Sequence, residues 1–102
     1  MARGQSAARE EDVYEAVFIA LAHPARRRIL HTLNFEGGEM TAGEIAAMFS
    51  HAWPTTTRHL QVLEAAGLLV HERQGRSRLY RIDKKRLALV RKWIAWFFKK
   101  PG

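Results

Sequence analysis

Between Trp53 and Gln61 the chain reads WPTTTRHLQ, and several of its side chains are of the kinds that bond polyanions. Thr55 and Thr57 offer short hydroxyls, Arg58 a planar cation and Gln61 an amide, all able to meet phosphate oxygens or base-pair edges. At helical spacing Pro54, Thr55, Thr57, Arg58 and Gln61 fall on or near an outer side, while Thr56, Leu60 and Leu63 face a core. Three β-branched threonines in one helical turn are mediocre helix formers and call for a reason. Short side chains let a helix come close to a groove wall, and the free amides of a helix start, here marked by Trp53 and Pro54, add an anion site. On their own the threonines read equally well as an N-terminal capping cluster.

A second group favours recognition over capping. HERQGRSRLYR sets Arg73, Arg76 and Arg78 around Gly75, with Arg81 further along, and residues 74–77 can form a hairpin turn. Such a basic ribbon suits the phosphates of an adjacent groove. The overall charge has the same bias: of the net +7, residues 71–102 carry eleven Lys/Arg against two acids, whereas residues 1–70 carry six against eight. A basic half of this kind points to a polyanionic partner, nucleic acid or anionic lipid.

Other chemistries lack their residues. With no cysteine there is no disulfide, thiolate metal site or thiol nucleophile. The five histidines, His23, His31, His51, His59 and His71, lie on separate elements without the paired spacing that zinc takes, so neither a metal nor another cofactor is expected. No glycine-rich phosphate loop, G-x-S-x-G or H-E-x-x-H occurs, which argues against an enzyme. MARGQSAAREED has no apolar stretch behind its basic residues and no run reaches the roughly 20 apolar residues of a membrane span, so a cytoplasmic protein is expected.

The elements that must position these residues are mostly helical. A small, polar, frayed tail is expected over residues 1–9, then one domain over residues 10–100. Val13, Ala16, Val17, Ala20 and Leu21 mark a first helix, with Glu10, Glu11 and Asp12 in its first turn. His23-Pro24 ends it, His23 helps cap a second helix, and Ile29, Leu30 and Leu33 form that helix's apolar face. Thr41 and Glu44 stand in capping-box spacing before a short third helix. The WPTTTRHLQ helix is fourth, from about Pro54 to Ala66, stopped by Gly67. The hairpin follows, and Asp83 caps a last helix running to about Phe98. Two short helices followed by a basic hairpin make a winged helix-turn-helix, a mostly α fold with a small β part.

Four stretches carry a resemblance: ALAHPARRRILHTL (Ala20–Leu33), MTAGEIAAMF (Met40–Phe49), TRHLQVLEAAGLL (Thr57–Leu69) and GRSRLYRID (Gly75–Asp83). In this order the chain resembles the ArsR/SmtB-type winged helix-turn-helix repressors of bacteria. The resemblance implies a homodimer built on the first and last helices that binds an imperfect inverted repeat in duplex DNA. The family's recognition helix commonly reads S-x-x-x-S-R-H-L; Thr57-Arg58-His59-Leu60 matches its second half, so Thr57 and Arg58 inherit the contact role. Metal-sensing members resemble E-L-C-V-C-D-L where this chain has Glu39 to Ile45, and residues 84–102 hold no His, Asp or Glu for the family's other sensor site. No inducing small molecule is specified by these residues; a winged-helix module for RNA or protein is the alternative.

Arg91 to Lys100, RKWIAWFFKK, sets two tryptophans and two phenylalanines among cations. It reads as a membrane-surface helix or a dimer seam, and the exposed aromatic area together with the resemblance favours the dimer over a membrane. The expected seam takes Val13 and Val17 from the first helix and Leu87, Val90, Trp93, Ile94 and Phe97 from the last.

Overall fold

In the computed structural model, which describes residues 2–49 and 52–100 and their side chains from residue 9 on, the chain runs α1 (Ala2–Leu21), α2 (Pro24–Phe35), β1 (Glu39–Thr41), α3 (Ala42–Ala47), α4 (Trp53–Ala65), β2 (Leu69–Gln74), β3 (Ser77–Ile82) and α5 (Lys84–Ala95). A 3₁₀ turn over Trp96–Phe98 follows. The caps foreseen from the residues form. His23 Nδ1 accepts from the Ala25 amide at 3.2 Å. Thr41 and Glu44 close both bonds of the capping box, and Asp83 accepts from the Lys85 amide at 3.0 Å. His51, among the histidines weighed above, lies outside the described residues.

The α1–α2 corner is held by arginines. Arg26 Nε donates to the Ala20 carbonyl at 2.8 Å and its Nη2 to that of Ile19 at 3.0 Å, while Arg27 Nη1 donates to Leu21 at 2.7 Å. These carbonyls lie in the last turn of α1, where Ile19 O also accepts from the Ala22 amide at 3.2 Å, and cations belong at that negative end of the helix dipole. Arg26 also reaches α4, its Nη1 donating to His59 Nδ1 at 3.4 Å.

The core lies where α1, α2, α3 and α4 meet the sheet: Val17, Ala20, Ile29, Leu33, Ile45, Leu60, Leu63, Leu68, Leu69 and Tyr80 are buried together. Each large aliphatic side chain so buried contributes about 1.5–3 kcal/mol. α4 stops in a Schellman turn, the Leu68 amide bonding Leu63 O and the Gly67 amide bonding Glu64 O, both at 2.9 Å. Gly67 needs to be glycine twice over: its φ is +77°, and an added Cβ would stand 2.9 Å from Arg86 Cγ.

Three expectations are corrected. Helical backbone covers residues 2–9, where a frayed tail was expected, so Glu10, Glu11 and Asp12 sit inside α1 and not in its first turn. Ala2, Arg3, Gln5, Ala7 and Ala8 are good helix formers, which permits the extension. The sheet has a third strand: β1 pairs antiparallel with β3, with Met40 opposite Tyr80, giving the order β1-β3-β2. Three residues, Glu39, Met40 and Thr41, are too few to show alternation, and the pairing that makes them a strand comes from distant β3. Val17, expected on a dimer seam, is 1% exposed inside the core and has no surface to offer a partner.

Candidate nucleic-acid interface

α4 sits with Thr56, His59, Leu60 and Leu63 buried, which turns Pro54, Thr55, Arg58 and Gln61 to solvent and leaves Thr57 half-buried at the edge. The capping explanation for the threonines does not hold. The N-cap is Ala52, no side chain caps the helix, and the hydroxyls of Thr55, Thr56 and Thr57 find no hydrogen-bond partner among the described residues. Thr56 Oγ1 is sealed in the core without a partner, which costs stability, whereas Thr55 and Thr57 present theirs outward.

β2 and β3 pair through Gln74 and Ser77, leaving Gly75 and Arg76 as a two-residue turn. Gly75 has φ +60° and no other residue of the turn has positive φ, the pattern of a type II′ hairpin with glycine in its first central position. Arg73 stands directly opposite Arg78. Like charges opposite each other destabilise a sheet, so the tip holds a cationic pair that an anion would relieve.

A cleft of about 480 Å³ joins the two elements, lined by Ala42, Gly43, Trp53, Thr57, Leu60, Arg76, Ser77, Arg78 and Tyr80. It therefore brings together Trp53 and Thr57 from the start of α4 with Arg76 and Arg78 from the hairpin, and none of its lining residues is acidic. Trp53, 55% exposed, stands at its mouth. Pro54, Thr55, Arg58, Gln61 and Arg73 lie outside the cleft lining on exposed surface.

The arginines divide by partner. Arg26 and Arg27 are bound to α1 carbonyls, and Arg81 is held between two carboxylates, Nε donating to Glu39 at 2.9 Å and Nη2 to Glu72. Those acids, the Glu39 hydrogen bond first, raise the Arg81 pKa above its ordinary value. By contrast Arg58, Arg73, Arg76 and Arg78 make no ion pair or hydrogen bond among the described residues. Across the hairpin base His71 Nδ1 meets a Glu64 carboxylate oxygen, tying β2 to α4.

The α1–α5 surface is aromatic. Tyr14 stacks near Phe18 at 6.1 Å between ring centroids, Phe18 meets Trp93 edge-on at 5.2 Å, and Trp93 meets Phe97 at 5.1 Å. Trp93, Ile94 and Phe97 are exposed, Phe97 at 71%, whereas Leu87 and Val90 pack partly against the core of their own chain and Val13 is half-buried. Tyr14 and Phe18 were missed from sequence, although their i, i+4 spacing is the signal of a helical aromatic pair. Among the described residues no three His, Cys, Asp or Glu gather to hold a metal. His23 and His59 approach to 4.6 Å between ring centroids, but the Nδ1 of each is engaged, with Ala25 and Arg26. No helix among them is long and apolar enough to cross a membrane.

A helix pair whose second member presents an unpaired polar face beside a basic β-ribbon is a winged helix-turn-helix. A helix-turn-helix domain model matches residues 21–72. The chain is 36% identical to the transcriptional repressor SdpR of Bacillus subtilis (strain 168) over 82% of this chain and 91% of that one. A solved ArsR family transcriptional regulator superposes with a TM-score of 0.77 at 32% identity, covering 88% of this chain and 96% of the other. The homodimeric winged helix-turn-helix DNA-binding domain of Mycobacterium bovis, solved in solution, gives 0.71 at 30% identity over 86% and 82%. The chain belongs to the ArsR/SmtB-type family of winged helix-turn-helix transcriptional regulators, a family of regulators and not of enzymes.

Proposed function

We propose that this chain is a cytoplasmic transcriptional repressor that binds an imperfect inverted-repeat operator as a homodimer. The observation that carries the proposal is the acid-free cleft in which Trp53 and Thr57 of α4 meet Arg76 and Arg78 of the hairpin. The two elements that wall the cleft suit two parts of a duplex, α4 its groove and the hairpin its phosphate backbone. α4 enters the major groove, where Thr55, Thr57 and Gln61 meet base edges or phosphates and Arg58 reads a guanine through two hydrogen bonds. Trp53 and Pro54 pack against the groove wall at the helix start. Arg73, Arg76 and Arg78 hold the phosphates beside it, which fixes register without reading sequence.

The second copy packs on the exposed aromatic surface, using Trp93, Ile94 and Phe97 with Phe18 from α1 and the half-buried Val13; Leu87 and Val90 support that surface from beneath. A twofold axis there sets the two α4 helices into successive major grooves, roughly 34 Å apart. Occupying a promoter in this way blocks transcription. The relative SdpR, named a repressor, supports that sign of regulation. The test is gel-shift binding to promoter duplex in competition with unrelated duplex and with single-stranded RNA. Preference for one duplex sequence is expected; equal competition by RNA would instead favour an RNA-interaction module.

A further inference from the structure

Apart from the cleft, and sharing none of its lining residues, two stripes of side chains line another hollow. Arg27, Leu30, His31 and Asn34 recur at i, i+3, i+4 and i+7 on α2, and Lys84 and Leu87 stand i, i+3 apart on α5. With Leu21 and Ile82 they line a pocket of about 340 Å³. The α5 stripe continues through Ala88 and Arg91 along a second hollow of about 270 Å³ that shares Lys84 and Leu87 with the first. The floor is apolar: Leu30 is buried, and Leu21, Ile82 and Leu87 pack against the core beneath.

The rim is cationic. None of the residues lining either hollow is acidic. Glu39, in the adjoining groove along Gly37 and Gly38, is bound by Arg81, and the Asp83 carboxylate is turned to the Lys85 amide. Arg27 spends one nitrogen on the Leu21 carbonyl, while Lys84 has no ion pair among the described residues. The volume stands at the lower end of the roughly 300–1,000 Å³ typical of small-molecule sites.

From these features we infer that the α2–α5 groove binds a small amphipathic monocarboxylate, its head between Arg27 and Lys84 and its chain on Leu21, Leu30, Ile82 and Leu87. Charge complementarity selects this occupant: an apolar floor takes a hydrocarbon, and a cationic rim without acids takes an anion and rejects a cation. The position also has a regulatory consequence, which rests on the DNA-binding proposal above. The pocket lies at the joint where α5, carrying the aromatic surface, leaves the sheet just after Ile82. Ile82 N–H bonds Gly38 O and Asp83 N–H bonds Leu68 O, both at 3.0 Å, so the sheet end that α5 leaves is held by backbone bonds. A ligand wedged between α2 and α5 changes the angle at which a second copy docks, and with it the separation of the two α4 helices.

The test is calorimetric titration of the full chain with octanoate, with 1-octanol and octylammonium in parallel. Octanoate is expected to saturate at one per chain, more tightly than octanol, with no octylammonium binding. Lys84→Glu, an exposed change at the first position of α5 where an acid suits the helix dipole, is expected to weaken octanoate at least about tenfold and leave octanol unchanged. Asn34→Trp, exposed at the mouth, is expected to abolish both. Lack of saturable octanoate binding, or binding that neither variant alters, overturns the inference; so does an effect of Asn34→Trp on dimer dissociation without octanoate binding, because a second chain then fills the groove. DNA affinity without octanoate is read alongside. A chain that binds DNA and ignores octanoate overturns this inference alone, and one that binds octanoate but no DNA overturns only the proposed function.

Discussion

Replacing Arg73, Arg76 and Arg78 together by alanine perturbs the hairpin and the DNA contact with opposite signs. In the free protein Arg73 faces Arg78 across the ladder, and neither has an anionic partner among the described residues. Relieving that pair should stabilise the chain slightly, by roughly 0.2–1 kcal/mol for a like-charged cross-strand pair. On DNA the same three side chains are assigned to phosphates in each protomer, six per dimer. Each phosphate contact adds about 0.9 to the slope of log K against log salt, so the triple variant should lose about 5 from that slope. Between about 50 and 200 mM salt the unaltered protein should then lose about 10³ more affinity than the variant does. The assay is a fluorescence-anisotropy titration of one operator duplex and one unrelated duplex at several salt concentrations, beside a urea melt of the free proteins. A triple variant with unchanged slope would refute the phosphate assignment, and one that melts markedly earlier would show that the arginines serve the fold.

Thr56→Val replaces a buried hydroxyl that has no partner by a methyl of the same shape, and urea denaturation should show a gain of about 1 kcal/mol. Phe97→Glu places a charge in the exposed aromatic row and should convert dimer to monomer in sedimentation equilibrium while leaving helix content unchanged. The bonds from the Thr41 backbone and then its hydroxyl hold Glu44 below its ordinary 4.5. A lowered carboxylate stabilises the fold above the unfolded pKa and loses that contribution as pH falls through the folded one, so acid denaturation followed below about pH 4.5 should be less steep in Glu44→Gln than in the original chain.

Much of the fold was legible because local chemistry decides it. His23-Pro24, Thr41 with Glu44, Gly67, Gly75 and Asp83 each fix a helix or turn boundary through bonds to their immediate neighbours, and each does so in the structure. β1 was not legible, because its three residues become a strand only by pairing with residues 79–81. Val17 shows the same limit. Helical spacing puts it on an apolar stripe with Val13, but only the packing of α2, α4 and the sheet decides that Val17 is interior and Phe18 is outside. At the candidate interface the side-chain types of α4 and the hairpin were readable, whereas their convergence on one cleft depends on how the sheet seats against α3 and α4. The division between bound Arg26, Arg27 and Arg81 and unbound Arg58, Arg73, Arg76 and Arg78 is likewise a tertiary property, since all seven look alike in composition.

Paired α4 helices are proposed to read two related half-sites, a reading checked by selecting bound duplexes from a random library at fixed salt, with the original chain and with Arg58→Ala. The expected result is an inverted repeat with half-site centres about 10–10.5 base pairs apart, whose guanine preference at one symmetric pair of positions disappears in the variant. Selected duplexes without dyad symmetry, or a repeat identical for both proteins, would contradict it.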